Sequence, residues 1–271
     1  MDASPDLPRQ GRVPVFNLPG IVTASIAVIA GIHVVRSVLP DSFDLSVLLD
    51  LAFIPARWTA SLDPSRAADI VRAAGKAAGD PAISAARQEF ARYLVSDPSA
   101  MPWTFVSYAL LHGSWMHLIF NSVWLAAFGA PVARRYGALR YGLLALAGIV
   151  AGAGLHLVLD PESAMPLVGA SAGISALMAA AARFVFQPPP PFAAAAPWHL
   201  PPRPPLQTIP ELLQNRTAML FLGVLLGTNL LFGLLALPLG GSEGPIAWDA
   251  HLGGFVAGFF LLPLMEPRGR R

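Results

Sequence analysis

The chain contains no cysteine. Disulfides and thiolate metal sites are therefore excluded, and no redox clue to compartment is left. Charge is also scarce. Only 13% of the 271 residues are Asp, Glu, Lys or Arg, against about a quarter in an ordinary soluble domain. Of the 18 basic residues, 17 are arginine and one, Lys76, is lysine. The net charge of +2 lacks the basic excess that holds nucleic acid, so no nucleic-acid partner is expected. Apolar residues fill the gap. Hydrophobic residues make up 55% of the chain, and the mean hydropathy is +0.57. The expected surroundings are a lipid bilayer.

A membrane-spanning helix needs roughly 20 mostly apolar residues. Six stretches come near that length: 18–39, 106–128, 141–159, 167–186, 218–239 and 247–265. The first carries His33 and Arg36 near its end. Its apolar run starts 17 residues in and no clear cleavage site follows, so it reads as a retained span rather than a removed leader. Arginine placement orients the spans. Arg9 and Arg12 precede the first. Arg134, Arg135 and Arg140 follow the second, Arg183, Arg203 and Arg216 accompany the fourth, and Arg268, Arg270 and Arg271 end the chain. Asp160, Glu162 and Glu243 lie in the alternate links. Both termini are therefore expected in the cytoplasm, with segment 40–102 (six basic and eight acidic residues) outside.

The predicted architecture is all-α. A cytoplasmic tail, 1–17, precedes a six-helix membrane domain, 18–265, and a basic tail, 266–271. Within the domain, 40–102 is a long external loop whose 58–96 stretch reads as short amphipathic helices, lying on the membrane surface or packed over the outer mouth of the bundle. Residues 187–216 form a cytoplasmic link, and 187–210 hold ten prolines, an extended polyproline-like segment. It is a solvated spacer or a docking site for a partner. The Arg and Ala bias and the lack of cysteine suggest a bacterial inner membrane.

Polar side chains at membrane depth are costly and mark sites. HGSWMHLIFN supplies His112, His117 and Asn121, the last two four residues apart and so on one helical face. AWDAHLGGFVAG supplies His251, with Gly254 and Gly258 at i+3 and i+7, a face that lets two helix backbones approach. GASAG places Ser171 between Gly169 and Gly173, and Ser175, Met178, Ala179 and Ala182 continue a small-residue stripe. Ser171 facing His251 across such faces is a nucleophile beside a general base. His117, Asn121 and the Ser171 amide are possible donors to an oxyanion. Taken singly, each feature has a plainer reading. An intramembrane serine bonds its own i−4 carbonyl, and histidines pack bundles or relay protons. Three histidines also suggest a metal, but no carboxylate accompanies His112 and His117, and Asp249 points away from His251, so no metal site is expected.

In joint order and placement the three motifs resemble the rhomboid family of intramembrane serine proteases, over about residues 103–265. The resemblance implies a six-helix core and a Ser171–His251 dyad without a carboxylate. It also implies an oxyanion hole of His117, Asn121 and the Ser171 amide, and a water-retaining role for His112. No cofactor is implied, and the substrates would be transmembrane proteins. Gly169, Gly173, Gly254 and Gly258 are read as helix-packing positions. The chain departs from the family at three places. Ala172 follows the serine where many relatives have glycine. Ser175 stands where a tyrosine often stacks on the histidine. Trp103-Thr104 replaces a Trp-Arg pair that braces the first loop. Span five, with Gly223, Gly227, Gly233 and Pro238, reads as a mobile wall for substrate. Two other classes fit less well. A binder of membrane helices has no use for a serine–histidine pair, and a transporter needs charged groups at the midplane.

Overall fold

An apolar chain in lipid must satisfy its own peptide groups, and helices do so within one segment. The computed structural model describes residues 17–76, 80–187, 205–234 and 247–266. The N-terminal tail, most of the proline-rich link, residues 235–246 and the basic end lie outside those ranges. Twelve α-helices are described: α1 (Gly20–Ser37), α2 (Asp41–Leu51), α3 (Pro55–Leu62), α4 (Ala67–Lys76), α5 (Pro81–Ser96), α6 (Thr104–Ser107), α7 (Trp115–Trp124), α8 (Ala130–Leu159), α9 (Ser171–Ala182), α10 (Ile209–Gln214), α11 (Arg216–Leu234) and α12 (Trp248–Leu261). Among the described residues the only β-pairing is a single bridge between Phe53 and Leu167. The helical stretches Gly20–Ser37, Trp115–Leu159 and Trp248–Met265 are long and apolar enough to cross a membrane.

Contacts fix the direction of each long helix. Arg36, near the end of α1, bonds the His112 carbonyl before α7. Gly129, beyond α7, lies against Tyr141 and Leu177. Gly148 and Gly152 of α8 meet Ala176 and Ala172 of α9, an antiparallel register. Gly254 and Gly258 of α12 meet Ala172 and Ala176 in that order, a parallel one. Asn215, before α11, bonds Phe186 beyond α9, whereas Asn229 bonds Trp248 at the start of α12. So α1, α7, α8, α9, α11 and α12 run alternately up and down. Arg134, Arg135, Arg140, Arg183 and Arg216 share one end. His33, His112, His117, Ser171 and His251 share the other.

Three expected boundaries change. The second span does not begin at 106. The short helix α6 and a 3-10 turn at Tyr108–Leu110 end there, and α7 starts at Trp115, where the Ser114 hydroxyl accepts from the His117 amide at 3.1 Å. That is the ordinary N-cap bond. The second and third spans are joined without a loop. The helix passes through a π segment, Leu125–Gly129, and turns at Gly137, whose φ of +80° suits glycine. The fourth span shrinks from 167–186 to the 12 residues of α9, about 18 Å of helix. Every residue from Ala172 to Ala182 is buried. Protein rather than lipid surrounds this helix, so the bilayer does not set its length.

Glycine makes α9 central. A side chain at Gly254 or Gly258 would strike the Ala172 or Ala176 carbonyl, and one at Gly253 the Ala151 carbonyl. Gly173 faces the other way, with Ile149 and the Ala145 carbonyl of α8 against it. Gly169 is not a helix-packing residue. It lies two residues before α9 with φ +117°.

The external segment folds over the same end. Residues Leu49, Ile54, Ala60, Ile70, Ala74, Ala91 and Leu94 from α2 to α5 form a small core with Ala164. Asp80 caps α5 by accepting from the Ala82 and Ile83 amides. This unit grips the link after α8. Phe53 and Leu167 exchange backbone hydrogen bonds of 3.2 and 2.8 Å, Ala56 bonds the Ser163 carbonyl and Thr59 the Pro161 carbonyl. Arg66 pairs with Glu162. The loop also has its arginine, at a different position. Buried Arg57 reaches the Leu49 carbonyl at 2.5 Å and the Met101 sulfur at 3.0 Å. Trp103 Nε1 donates to the Asp50 carbonyl at 2.7 Å.

Candidate active site

Ser171 is the first residue of α9. The first amides of a helix have no intrahelical partner, so the Ser171 N–H is free for an external acceptor. The turn before it needs Gly169. A Cβ there would lie 2.7 Å from His117 Nε2 and 3.6 Å from Asn121 Nδ2. Both side-chain nitrogens therefore converge on the Gly169 face beside Ser171. Asn121 Nδ2 is buried and has no hydrogen-bond partner among the described residues. An unpaired buried donor costs free energy unless a ligand uses it.

Across from α9, His251 stands one turn before Gly254 on α12. Its Nε2 is 2.7 Å from Ser171 Oγ. The close backbone approach permitted by Gly254 brings the two side chains within reach. Ser175 is buried one turn further along α9, and the hydrogen bond to His251 belongs to Ser171. The other face of the ring is held by a residue that sequence reasoning passed over. His251 Nδ1 lies 2.6 Å from Asn229 Oδ1 on α11, and Asn229 Nδ2 donates to the Trp248 carbonyl at 3.0 Å. The signal was there, since Asn229 is an amide in an otherwise apolar run. Asp249 points away from this ring and pairs with His156 of α8 at 2.9 Å.

His112 lies just before α7 and is fully buried. Its ring is 5.1 Å from that of His117, and both its ring nitrogens lack partners among the described residues. Its backbone is fixed from α1. Arg36 Nη1 donates to the His112 carbonyl at 3.2 Å, while its Nε and Nη2 donate to the two Asp44 carboxylate oxygens at 2.7 and 3.0 Å. His33, also on α1, stands edge-on to Trp115 at 4.6 Å. His33 and Arg36 read in the sequence as polar interruptions of a span. Their partners show that they end it against the site. Among the described residues, no three His, Asp or Glu side chains are grouped to hold a metal.

A hydroxyl bonded to an imidazole at the partly buried junction of three helices defines a helical membrane protein with a serine–histidine pair. The family model for the Rhomboid domain matches residues 99–268, and the chain belongs to the rhomboid family. It is 40% identical to mouse Rhomboid-related protein 2 over 76 residues, 28% of this chain and 24% of that protein. It is 37% identical to human Rhomboid-related protein 3 over 81 residues, 30% of this chain and 20% of that one. It is 26% identical to RHOMBOID-like protein 5 of Arabidopsis thaliana over 166 residues, 59% and 42% of the two chains. The chain thus spans less than half the length of these relatives. The matched region begins after α5, so α1 and the external helices lie outside it. The relatives are mammalian and plant proteins and lend no support to a bacterial inner membrane. Family and apolar helices together make this an integral membrane protein of the rhomboid family.

Proposed function

We propose that this protein is an intramembrane serine endopeptidase that cuts transmembrane segments of other proteins near the outer face of the membrane. The observation that carries the reading is the 2.7 Å contact between Ser171 Oγ and His251 Nε2. The alternating helix directions and the arginine-rich end, which favours the cytoplasmic side, support a reading with six passes and both termini in the cytoplasm. The site then sits toward the outer side, where water can reach it.

His251 Nε2 takes the hydroxyl proton as Ser171 Oγ attacks the scissile carbonyl carbon. The carbonyl oxygen becomes an oxyanion held by the Ser171 amide, His117 and Asn121. Collapse breaks the C–N bond, and His251 returns its proton to the leaving amine. Water then attacks the acyl-serine with His251 again as base, releasing the acid. We assign His112, whose ring is 5.1 Å from that of His117 and whose ring nitrogens have no partner among the described residues, to holding water there. The substrate helix must unwind before cleavage, because helical carbonyls are already bonded. Small or helix-breaking residues at the cut are expected.

The test is labelling of purified protein by a fluorophosphonate. Wild type should label, and Ser171→Ala and His251→Ala should not. Label persisting on folded Ser171→Ala would move the nucleophile to Ser175 or elsewhere. Absence of label on folded wild type would favour a helix-binding role without hydrolysis.

A further inference from the structure

Asn229 occupies a place that the dyad leaves open. The Asn229 amide is oriented by its own neighbours. Its Nδ2 faces a carbonyl, that of Trp248, at 3.0 Å. A carbonyl only accepts, so the nitrogen of the amide must point there, and Oδ1 must point at His251 Nδ1, 2.6 Å away. Oδ1 in turn only accepts. His251 therefore carries its proton on Nδ1, and the Nε2 lone pair is left for the hydroxyl of Ser171. A chain of three side chains on three helices thus fixes one tautomer without any carboxylate.

We propose that Asn229 is a positioning residue of this site: it holds the His251 ring in the Nδ1–H tautomer and makes that orientation depend on the seating of α11. This rests on the protease reading above. During turnover only Nε2 gains and loses a proton, and Nδ1–H stays bonded to the amide throughout. When the ring becomes imidazolium that bond is charge-assisted and strengthens. The same neutral orienter serves in Cys-His-Asn proteases on an unrelated fold.

The dependence on α11 follows from where this helix is held. Ala218 and Leu222, near its start, are buried with Ala182, Leu212 and the rings of Phe186, Phe221, Phe255 and Phe259. None of residues 223–231 is buried. Among the described residues, the two bonds of Asn229 are the polar attachments of that half to α12. If α11 swings outward, His251 loses its orienter, so the base is set only when the wall is seated.

The pH dependence of turnover tests this, because few titratable groups face His251. The nearest are His117 from α7 and, on its own helix, Asp249, whose carboxylate is turned away to His156 of α8. No charged side chain of α11 or α9 faces it. Wild type, Asn229→Ala, Asn229→Asp and Ser171→Ala are compared by fluorophosphonate labelling and by cleavage of a transmembrane substrate. Asn229→Ala should lower kcat about 100-fold, the low end of what a positioned base supplies, with KM changed less than about threefold. Asn229→Asp should recover at least about tenfold of that loss. Its acid limb should move to higher pH, because a carboxylate favours the charged ring. Nitrogen-15 spectra of wild type at pH 8, with the His251 signals assigned by their loss in His251→Gln, should show a protonated Nδ1 and a bare Nε2.

A kcat for Asn229→Ala within twofold of wild type would overturn the proposal. So would equal losses in both variants with the acid limb unmoved, or a His251 protonated on Nε2. If wild type labels no better than Ser171→Ala, the protease reading fails instead, and the nitrogen spectra still decide the tautomer.

Discussion

Helices α9 and α11 both contribute a side chain to His251, and they are built on opposite plans. Every residue of α9 after Ser171 is buried, and its neighbours approach through glycine until backbone meets backbone. By contrast, α11 is anchored at its first turns and shows its outer half to the surroundings. One helix is fixed by shape on all sides and the other by one cluster and one amide. The contrast separates two tasks. Under the proposed mechanism the attacking group stands on the helix enclosed on every side, and the group that orients its base stands on a helix buried only near its start. Interiors packed to crystal-like density resist small displacements, whereas a lone interhelical hydrogen bond contributes only about 0.6 kcal/mol on average.

The largest break in the comparison is a side chain on the rigid side. Gly254→Leu drives a branched group into the Ala172 carbonyl, and overpacking of this kind typically costs about 1–3 kcal/mol. Fluorophosphonate labelling should vanish and the Tm in detergent should fall. A fully labelled, equally stable variant would mean that α12 and α9 are not held at this distance. Next is the oxyanion corner. Asn121→Ala should reduce kcat by about 100- to 1000-fold and leave KM nearly unchanged. A change confined to KM would make Asn121 a substrate-binding residue.

The third measurement addresses α11 from its anchored start. The rings of Phe128 and Phe221 lie 5.1 Å apart, and the chain has no cysteine of its own. A bismaleimide bridge between Phe128→Cys and Phe221→Cys should stop cleavage of a transmembrane substrate. Labelling by a small probe should stay within about twofold of the unbridged protein, because the bridge keeps α11 seated. Unchanged cleavage after complete bridging would show that substrate does not pass at α11. The smallest effect sharpens the contrast. Thr228 is exposed and bonds only the Val224 and Leu225 carbonyls of its own helix. Thr228→Ala, beside Asn229, should therefore shift stability by less than about 0.5 kcal/mol and leave labelling alone, as scanning calorimetry and the same probe would show.

The facing of Ser171 and His251 was legible because glycine and alanine spacing on α9 and α12 records how close two backbones come. The resemblance carried in His117, Asn121 and His112 was equally visible. What stayed hidden was hidden for physical reasons. Asn229 lies in a run whose glycines and proline suggested motion, and an uncharged amide draws less notice at membrane depth than a histidine. The length of α9 was overread because the rule of roughly 20 residues measures the bilayer, and α9 is enclosed by protein. The start of α7 was placed too early, although Ser114 followed by His117 has the spacing of a cap. Thr104 leaves the loop without the expected arginine, and Arg57 ties it instead to the Leu49 carbonyl and the Met101 sulfur. A long-range contact of that kind leaves no local pattern.

Gly169 carries a consequence for descent. Its backbone conformation and the His117 ring beside it both refuse any larger residue. If the proposed function holds, a copy of the gene released from selection for hydrolysis loses the constraint set by the His117 ring but keeps the one set by the backbone, so among diverged copies Gly169 should outlast the serine.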